Sequence, residues 1–198
     1  MILAIVLAAG ASVRMGSPKA LLGFGGKTFL QHLVDVLRAA GVRDIRVVVG
    51  ADAESIGHSL AGYEVDVIVN HDWRKGQLSS VVAGLLGAPE ENTEGILVCP
   101  VDHPLITARL IITMIAALET TGKRIVIPTF QGKRGHPALF SASMLDEIRR
   151  ASSEIGLRQV ICDHPEEVHE LATDEEGVLL NIDSIADYER HVAGRKPP

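Results

Sequence analysis

The stretch that decides the fold is MILAIVLAAGASVRMGSPKA, Met1 to Ala20. Residues 2–7 form an unbroken apolar run of strand length, rich in β-branched side chains, as in a strand buried on both faces. The chain then changes character. Ala8, Ala9, Gly10, Ala11 and Ser12 are small enough for a ligand to approach the backbone, and Gly10 and Gly16 can take positive φ. Arg14 and Lys19 add two cations, and no acid occurs among these twenty residues. A loop of this kind suits a polyphosphate, held by N–H groups and fixed cations. The alternative is an ordinary strand-to-helix loop with two solvated cations.

Two other phosphate loops do not fit. The dinucleotide fingerprint needs Gly-x-Gly-x-x-Gly directly after the strand, whereas Gly10 is followed by its next glycine only at Gly16. The ATPase loop needs Gly-Lys-Ser/Thr, and here Gly16 precedes Ser17, Pro18 and Lys19. A hydride-transfer enzyme built on that fingerprint is therefore disfavoured.

A chain of 198 residues with 46% hydrophobic and 22% charged residues reads as a globular protein with a substantial core. A formal charge of -6 argues against a nucleic-acid surface, which needs Lys and Arg to neutralise phosphates. Cys99 and Cys162 are too few and too far apart for a disulfide framework or a Cys-based zinc site. No stretch approaches the roughly 20 apolar residues of a membrane span, and Met1 to Leu7 has no basic leader. The expected location is cytoplasmic, with no membrane and no nucleic-acid partner.

Helices are expected at residues 28–40, where Thr28 and Gln31 have the form of a capping box, and at 52–60, 78–86, 108–121, 144–150 and 156–161. Strands are expected at 2–7, 45–49, 65–69, 96–99, 124–127, 167–172 and 178–182, and a frayed tail at 194–198. This alternation predicts an α/β fold, a mostly parallel, Rossmann-like open sheet with helices on both faces. In such sheets ligands bind beyond the carboxyl ends of the strands. The residues just past each strand therefore matter most.

After the third strand, Gly76 precedes Ser79 and Ser80 at a helix start, where a hydroxyl can meet a ligand or merely cap the helix. After the strand at 96–99 comes Pro100-Val101-Asp102-His103-Pro104. An acid near a polyphosphate is understandable as a magnesium ligand, or else it starts a turn. Lys133, Arg134 and His136 lie in a glycine-rich basic loop that could take a phosphate or stay solvated. Asp183 follows the last expected strand, with Ser184 and Asp187 at the spacing of a helix-start box.

Leu7-Ala8-Ala9-Gly10-Ala11-Ser12-x-Arg14-Met15-Gly16-x-Pro18-Lys19-x-Leu21-Leu22 resembles the signature loop of nucleotidyltransferases that share the molybdenum cofactor guanylyl- and cytidylyltransferase fold. Further resemblances are Gly76-x-x-x-Ser80, Asp102 with its nearby prolines, Gly135-His136-Pro137-x-Leu139-Phe140, Gly156-Leu157-Arg158, and Asn181-Ile182-Asp183-Ser184-Ile185-Ala186-Asp187. Ala9, where guanylyltransferases usually carry glycine, makes the cytidylyltransferase branch the nearer one. Departures are His103, a position commonly Gln or Met in relatives, and Ser184 with Ile185 in place of Thr-Pro.

The resemblance implies the nucleotide-diphospho-sugar transferase type of fold as one domain over residues 1–198. Its nucleotide-binding part would be about 1–104 and its acceptor-binding and closing part about 105–193. It implies an NTP, CTP by this branch, bound by Leu7, Ala8, Ala9, Gly10, Ser12, Arg14, Gly16, Lys19, Gly76, Ser79, Ser80 and Asp102. Mg²⁺, with Mn²⁺ as an alternative, would be held by Asp102 and Asp183. Arg14, Lys19 and Asp102 would be catalytic: Arg14 at the leaving pyrophosphate, Lys19 at the α-phosphate. The acceptor, a phosphorylated small molecule and by resemblance molybdopterin, with guanylyl transfer to that cofactor or transfer to a sugar or polyol phosphate as alternatives, would meet Lys133, Arg134, His136 and Arg158. A molybdoenzyme or a cofactor-insertion chaperone would receive the product. A nucleotide-binding regulatory module is the reading of a different class, disfavoured by the two strand-end acids. The contacts of His71, Trp73 and His103 are left open by the sequence.

Overall fold

The computed structural model describes residues 1–88, 90–195 and 197. Its central strand is β1 (Ile2–Ala8), in which Leu3, Ala4, Ile5 and Val6 have no exposed surface. Ala4, Val6 and Ala8 pack into one apolar layer and Leu3, Ile5 and Leu7 into the other, as the two-residue period of a strand requires. This is the run buried on both faces that the opening residues imply.

A short hairpin comes next, β2 (Gly23–Phe24) with β3 (Lys27–Thr28), then α1 (Phe29–Ala39), β4 (Asp44–Val49), α2 (Ala53–Ser59), β5 (Asp66–Val69), α3 (Gln77–Leu85) and β6 (Gly95–Pro100). Beyond it lie α4 (Ala108–Thr120), β7 (Ile125–Phe130), β8 (Lys133–Arg134), β9 (Ala138–Ser141) and α5 (Leu145–Arg150). The last elements are α6 (Leu157–Asp163), β10 (Val168–Ala172) and α7 (Ile185–His191).

The main sheet runs β10-β7-β9-β6-β1-β4-β5, with β8 folded onto β7. β1 is parallel to both β4 and β6, β4 to β5, and β7 to β10, while β9 is antiparallel to β6 and β7. The result is a mostly parallel mixed sheet flanked by helices. α1, α2 and α4 cover one face, and α3, α5 and α6 the other.

Local signals explain several boundaries. The Thr28 hydroxyl accepts from Gln31 N and the Gln31 side chain accepts from Thr28 N, so the capping box starts α1. Thr107 caps α4, and Ser184 with Asp187 forms a second box at α7. Arg46, buried in β4, donates to the carbonyls of Gly84, Leu86 and Gly87 and thereby satisfies the otherwise orphaned C-terminus of α3.

The expected strand at 178–182 is corrected. Residues 178–182 are not a strand: a 3-10 turn at Glu176–Leu179, whose Val178 O accepts from His136 N at 2.9 Å, precedes an extended segment whose Ile182 N donates to Asp102 O at 2.8 Å. Val178 and Ile182 are fully buried against neighbouring loops and helices, so their apolar character reflects packing without a ladder. β9 is a strand that the sequence pattern does not announce; its four residues fill the space between β6 and β7. The frayed tail falls partly on residues 196 and 198, which lie outside the described residues. Among the described residues no helix is long and apolar enough to cross a membrane.

Candidate active site

In the sheet the chain moves from β1 outward through β4 to β5, then returns to β6 on the other side of β1. That reversal opens a crevice at the carboxyl ends of β1 and β6, where the loops cannot both cross the same edge. A cleft of about 720 Å³ occupies it, lined by the loop after β1, by the turn after β5 and by the segment after β6.

The loop after β1 makes two tight turns. Ser12 takes the left-handed conformation (φ 48°) and Gly16 does the same (φ 67°). Gly10 does not adopt positive φ, but a Cβ there would meet no atom within 4 Å, which leaves its backbone open to the cleft. The Ser12 hydroxyl accepts from Lys19 N at 3.0 Å, closing the loop and aiming the Lys19 side chain inward. Leu7, Ala8, Ala9, Gly10, Ser12, Arg14 and Lys19 line the cleft; Gly16 shapes the loop from outside it.

Four charges converge at one end. The Lys19 ammonium lies 3.0 Å from Asp102 and also donates to Asp183, and an Arg14 Nη lies 3.0 Å from the other oxygen of Asp183. Asp102 follows β6, and Asp183 arrives on the returning segment 176–183. The donation from Lys19, aided by Arg14, holds the Asp183 carboxyl below its ordinary range. The carboxylates thus share a cation already, and their hard oxygen donors suit a divalent ion whose other ligands are phosphates. Among the described residues no group of three or more His, Cys, Asp or Glu forms a metal site.

Beside Asp102 lie two imidazoles, the buried His103 and the half-buried His136, with ring centroids 4.6 Å apart. Burial, reinforced by His136, pushes His103 down to about 4, and burial lowers His136 as well. At neutral pH both are uncharged, and His136 presents to the cleft a polar ring without charge.

Of the other sequence candidates, Gly76 (φ 100°) and Ser80 line the cleft, but Ser79 turns its hydroxyl to the carbonyls of Asp72 and Gly76. Neither serine caps α3, whose N-cap is Gly76. Lys133 and Arg134 sit on β8, outside the cleft lining. Arg134 is drawn instead to Glu170 on β10, at 2.8 Å, since β8 and β10 flank the same strand. Arg158 is exposed on α6 and does not line the cleft.

Sequence reasoning passes over Asn70, which donates to both Ser79 and Ser80 at 3.0 Å and accepts from Asp72 N at 2.9 Å. Its place directly after β5 is the signal that could have found it. Sequence reasoning also passes over Gly177. A Cβ there would lie 2.4 Å from Leu105 O, and one at Gly135 would lie 2.4 Å from Val178 O. The two glycines let the returning segment lie flat on its neighbours and deliver Asp183 to Lys19.

Residues 4–168 match the MobA-like NTP transferase domain model. The chain belongs to that family. It is 28% identical over 197 residues to nicotine blue oxidoreductase of Paenarthrobacter nicotinovorans, covering 94% of each. It is 30% identical over 132 residues to a probable molybdenum cofactor guanylyltransferase of Bacillus mycoides, covering 66% of this chain and 62% of that protein. Among solved structures, Rv0371c of Mycobacterium tuberculosis superposes with a TM-score of 0.83 at 30% identity, covering 96% of this chain and 95% of that one. A complex of Rv0371c with manganese superposes with a TM-score of 0.81 at 28% identity, covering 98% and 99% of the two chains.

Proposed function

We propose that this family member transfers a nucleotidyl group from an NTP to a phosphorylated small-molecule acceptor in a divalent-metal-dependent reaction, releasing pyrophosphate. The observation that carries it is the convergence of Lys19, Arg14, Asp102 and Asp183 at the end of a phosphate-type loop. Such a transfer asks little covalent chemistry of the protein, because its barrier lies in bringing anions together and stabilising charge on phosphoryl oxygens.

An acceptor phosphate oxygen attacks the α-phosphorus in line, and the bond to the bridging oxygen of the β-phosphate breaks. Lys19 neutralises charge on the α-phosphoryl oxygens, and Arg14, exposed at the rim, receives the leaving pyrophosphate. The base lies against Ala8 to Gly10, and the amides of the loop beyond them wrap the triphosphate. Asp102 and Asp183 would hold Mg²⁺ or Mn²⁺, which supplies Lewis-acid stabilisation of the phosphoryl oxygens and alignment of the two substrates. Residues 1–104 bind the nucleotide, and 105–193 carry the acceptor side and Asp183, within one domain. On the acceptor side the cleft presents His136; Lys133, Arg134 and Arg158 would have to reach it from outside its lining.

Molybdopterin is the proposed acceptor, supported by the guanylyltransferase relative. CTP is the proposed donor, because the Ala9 methyl leaves less room for a purine than a glycine would. A methyl group is worth only about 1 to 3 kcal/mol, so the preference is partial. Oxidation–reduction is a second reading, favoured by the relative of matched length, nicotine blue oxidoreductase. The absence of dinucleotide glycine spacing after β1 places it second.

The test is pyrophosphate release with each of the four NTPs, Mg²⁺, and acceptors including molybdopterin, run beside NADH and NADPH oxidation. Release that requires both NTP and acceptor, fastest with CTP, is expected. GTP preference would overturn the cytidylyl assignment alone. Nicotinamide oxidation without pyrophosphate release would overturn the transfer reading.

A further inference from the structure

Trp73, the single tryptophan of the chain, sits in the 3-10 turn after β5 and is half-buried at the wall of the cleft. The end of β4 is pared down to receive it: a Cβ on Gly50 would lie 2.8 Å from Trp73 Cγ and 2.6 Å from Ala9 O. The indole is therefore packed beside Ala9, in the loop that begins the nucleotide cleft. Arg74 holds its guanidinium 4.4 Å from the ring centroid, a cation–π contact that fixes the orientation of the ring. The turn is braced from below, with Asn70 accepting from Asp72 N and Lys75 N donating to Asp72 O at 2.8 Å.

The cluster of Lys19, Arg14, Asp102 and Asp183 lies elsewhere. Asp102 follows β6, three strands from β5 across β1 and β4, a separation of about 14 Å at the usual strand spacing. The cleft thus has a phosphate end, with Lys19, Arg14 and the two acids, and an aromatic end, with Trp73 and the Arg74 guanidinium over its ring, that the phosphoryl chemistry does not use. We propose that the Trp73 indole is the stacking surface for the nucleobase; this deepens, and rests on, the nucleotide-transfer reading. Stacking on an aromatic face accepts every base, since each presents a π-face. Trp73 supplies affinity common to all four nucleotides, and base choice falls to the backbone edge at Ala8–Gly10.

The experiment uses the intact protein and its one tryptophan as the probe. Titration with CTP, GTP or ATP in Mg²⁺ is expected to change the tryptophan emission, while inorganic tripolyphosphate binds without changing it. By calorimetry, Trp73→Ala is expected to weaken each nucleotide roughly 10- to 100-fold, with the CTP-to-GTP ratio and tripolyphosphate affinity unchanged. Trp73→Phe, which keeps an aromatic face, is expected to retain most of the affinity. Nucleotide binding with unaltered emission, or equal loss of nucleotide and tripolyphosphate affinity, would overturn the stacking role and leave the transfer reading standing. No calorimetric binding of any NTP to the wild-type protein would overturn both.

Discussion

The Lys19 ammonium lies 3.0 Å from the Asp102 carboxylate and donates to Asp183 as well, joining residues 83 and 164 positions apart in the chain. A cation thus already sits where the two acids converge. Lys19 cannot serve a phosphate fully while it serves both carboxylates, so binding of nucleotide and metal implies an exchange of partners. Lys19→Ala is expected to lower turnover roughly 10²- to 10³-fold, as removal of one preorganised donor does. It should also strengthen Mn²⁺ binding measured by electron paramagnetic resonance without nucleotide, because the competing ammonium is gone. Weaker Mn²⁺ binding in the variant would contradict the exchange.

Asp102→Ala and Asp183→Ala are each expected to abolish transfer while leaving the circular dichroism of the fold unchanged, since both acids project from segment ends at the cleft. Near wild-type turnover in folded variants of both would remove the metal assignment.

Gly135→Ala tests how Asp183 is delivered. The added methyl would stand 2.4 Å from Val178 O, a backbone atom that cannot rotate away, so segment 176–183 must shift. A stability loss of roughly 1 to 3 kcal/mol in urea unfolding is expected from such overpacking, together with lowered activity at saturating substrates. Unchanged stability and activity would mean that the segment adapts freely.

The buried histidines predict a pH dependence of stability. Burial lowers His32, His136 and His103, the last to about 4, whereas in the unfolded chain each titrates near 6.5. The unfolded state therefore binds more protons as pH falls from about 6.5 toward 4, and stability present above that window is lost through it. Each group contributes a slope of up to about 1.4 kcal/mol per pH unit. Urea midpoints at pH 7.5, 6 and 5 should fall in that order, and His32→Gln should flatten the profile. A constant midpoint would count against neutral burial.

Features encoded within a few residues are legible in the sequence. The apolar run of β1, the capping boxes of Thr28 with Gln31 and Ser184 with Asp187, and the cap at Thr107 need only i to i+3 chemistry or a single strand's periodicity. The loop cations Arg14 and Lys19 and the strand-end acid Asp102 are legible for the same reason, since strand-end position ranks residues before any contact is known.

Features decided by partners distant in the chain are not. Nothing local to residues 138–141 says that they run antiparallel between β6 and β7, because direction is set by which strands already flank the gap. Residues 178–182 carry buried apolar side chains like those of a strand, yet their hydrogen bonds go singly to His136 and Asp102. Arg134 has the chemistry of a phosphate ligand, but β10 brings Glu170 beside it. The local chain thus supplied the charged groups Arg14, Lys19 and Asp102, but the meeting of Lys19 with Asp102 and Asp183 came only from the tertiary structure. A contact across 83 or 164 residues exists only once the sheet order and the glycine-permitted crossings at Gly135 and Gly177 have brought those segments together.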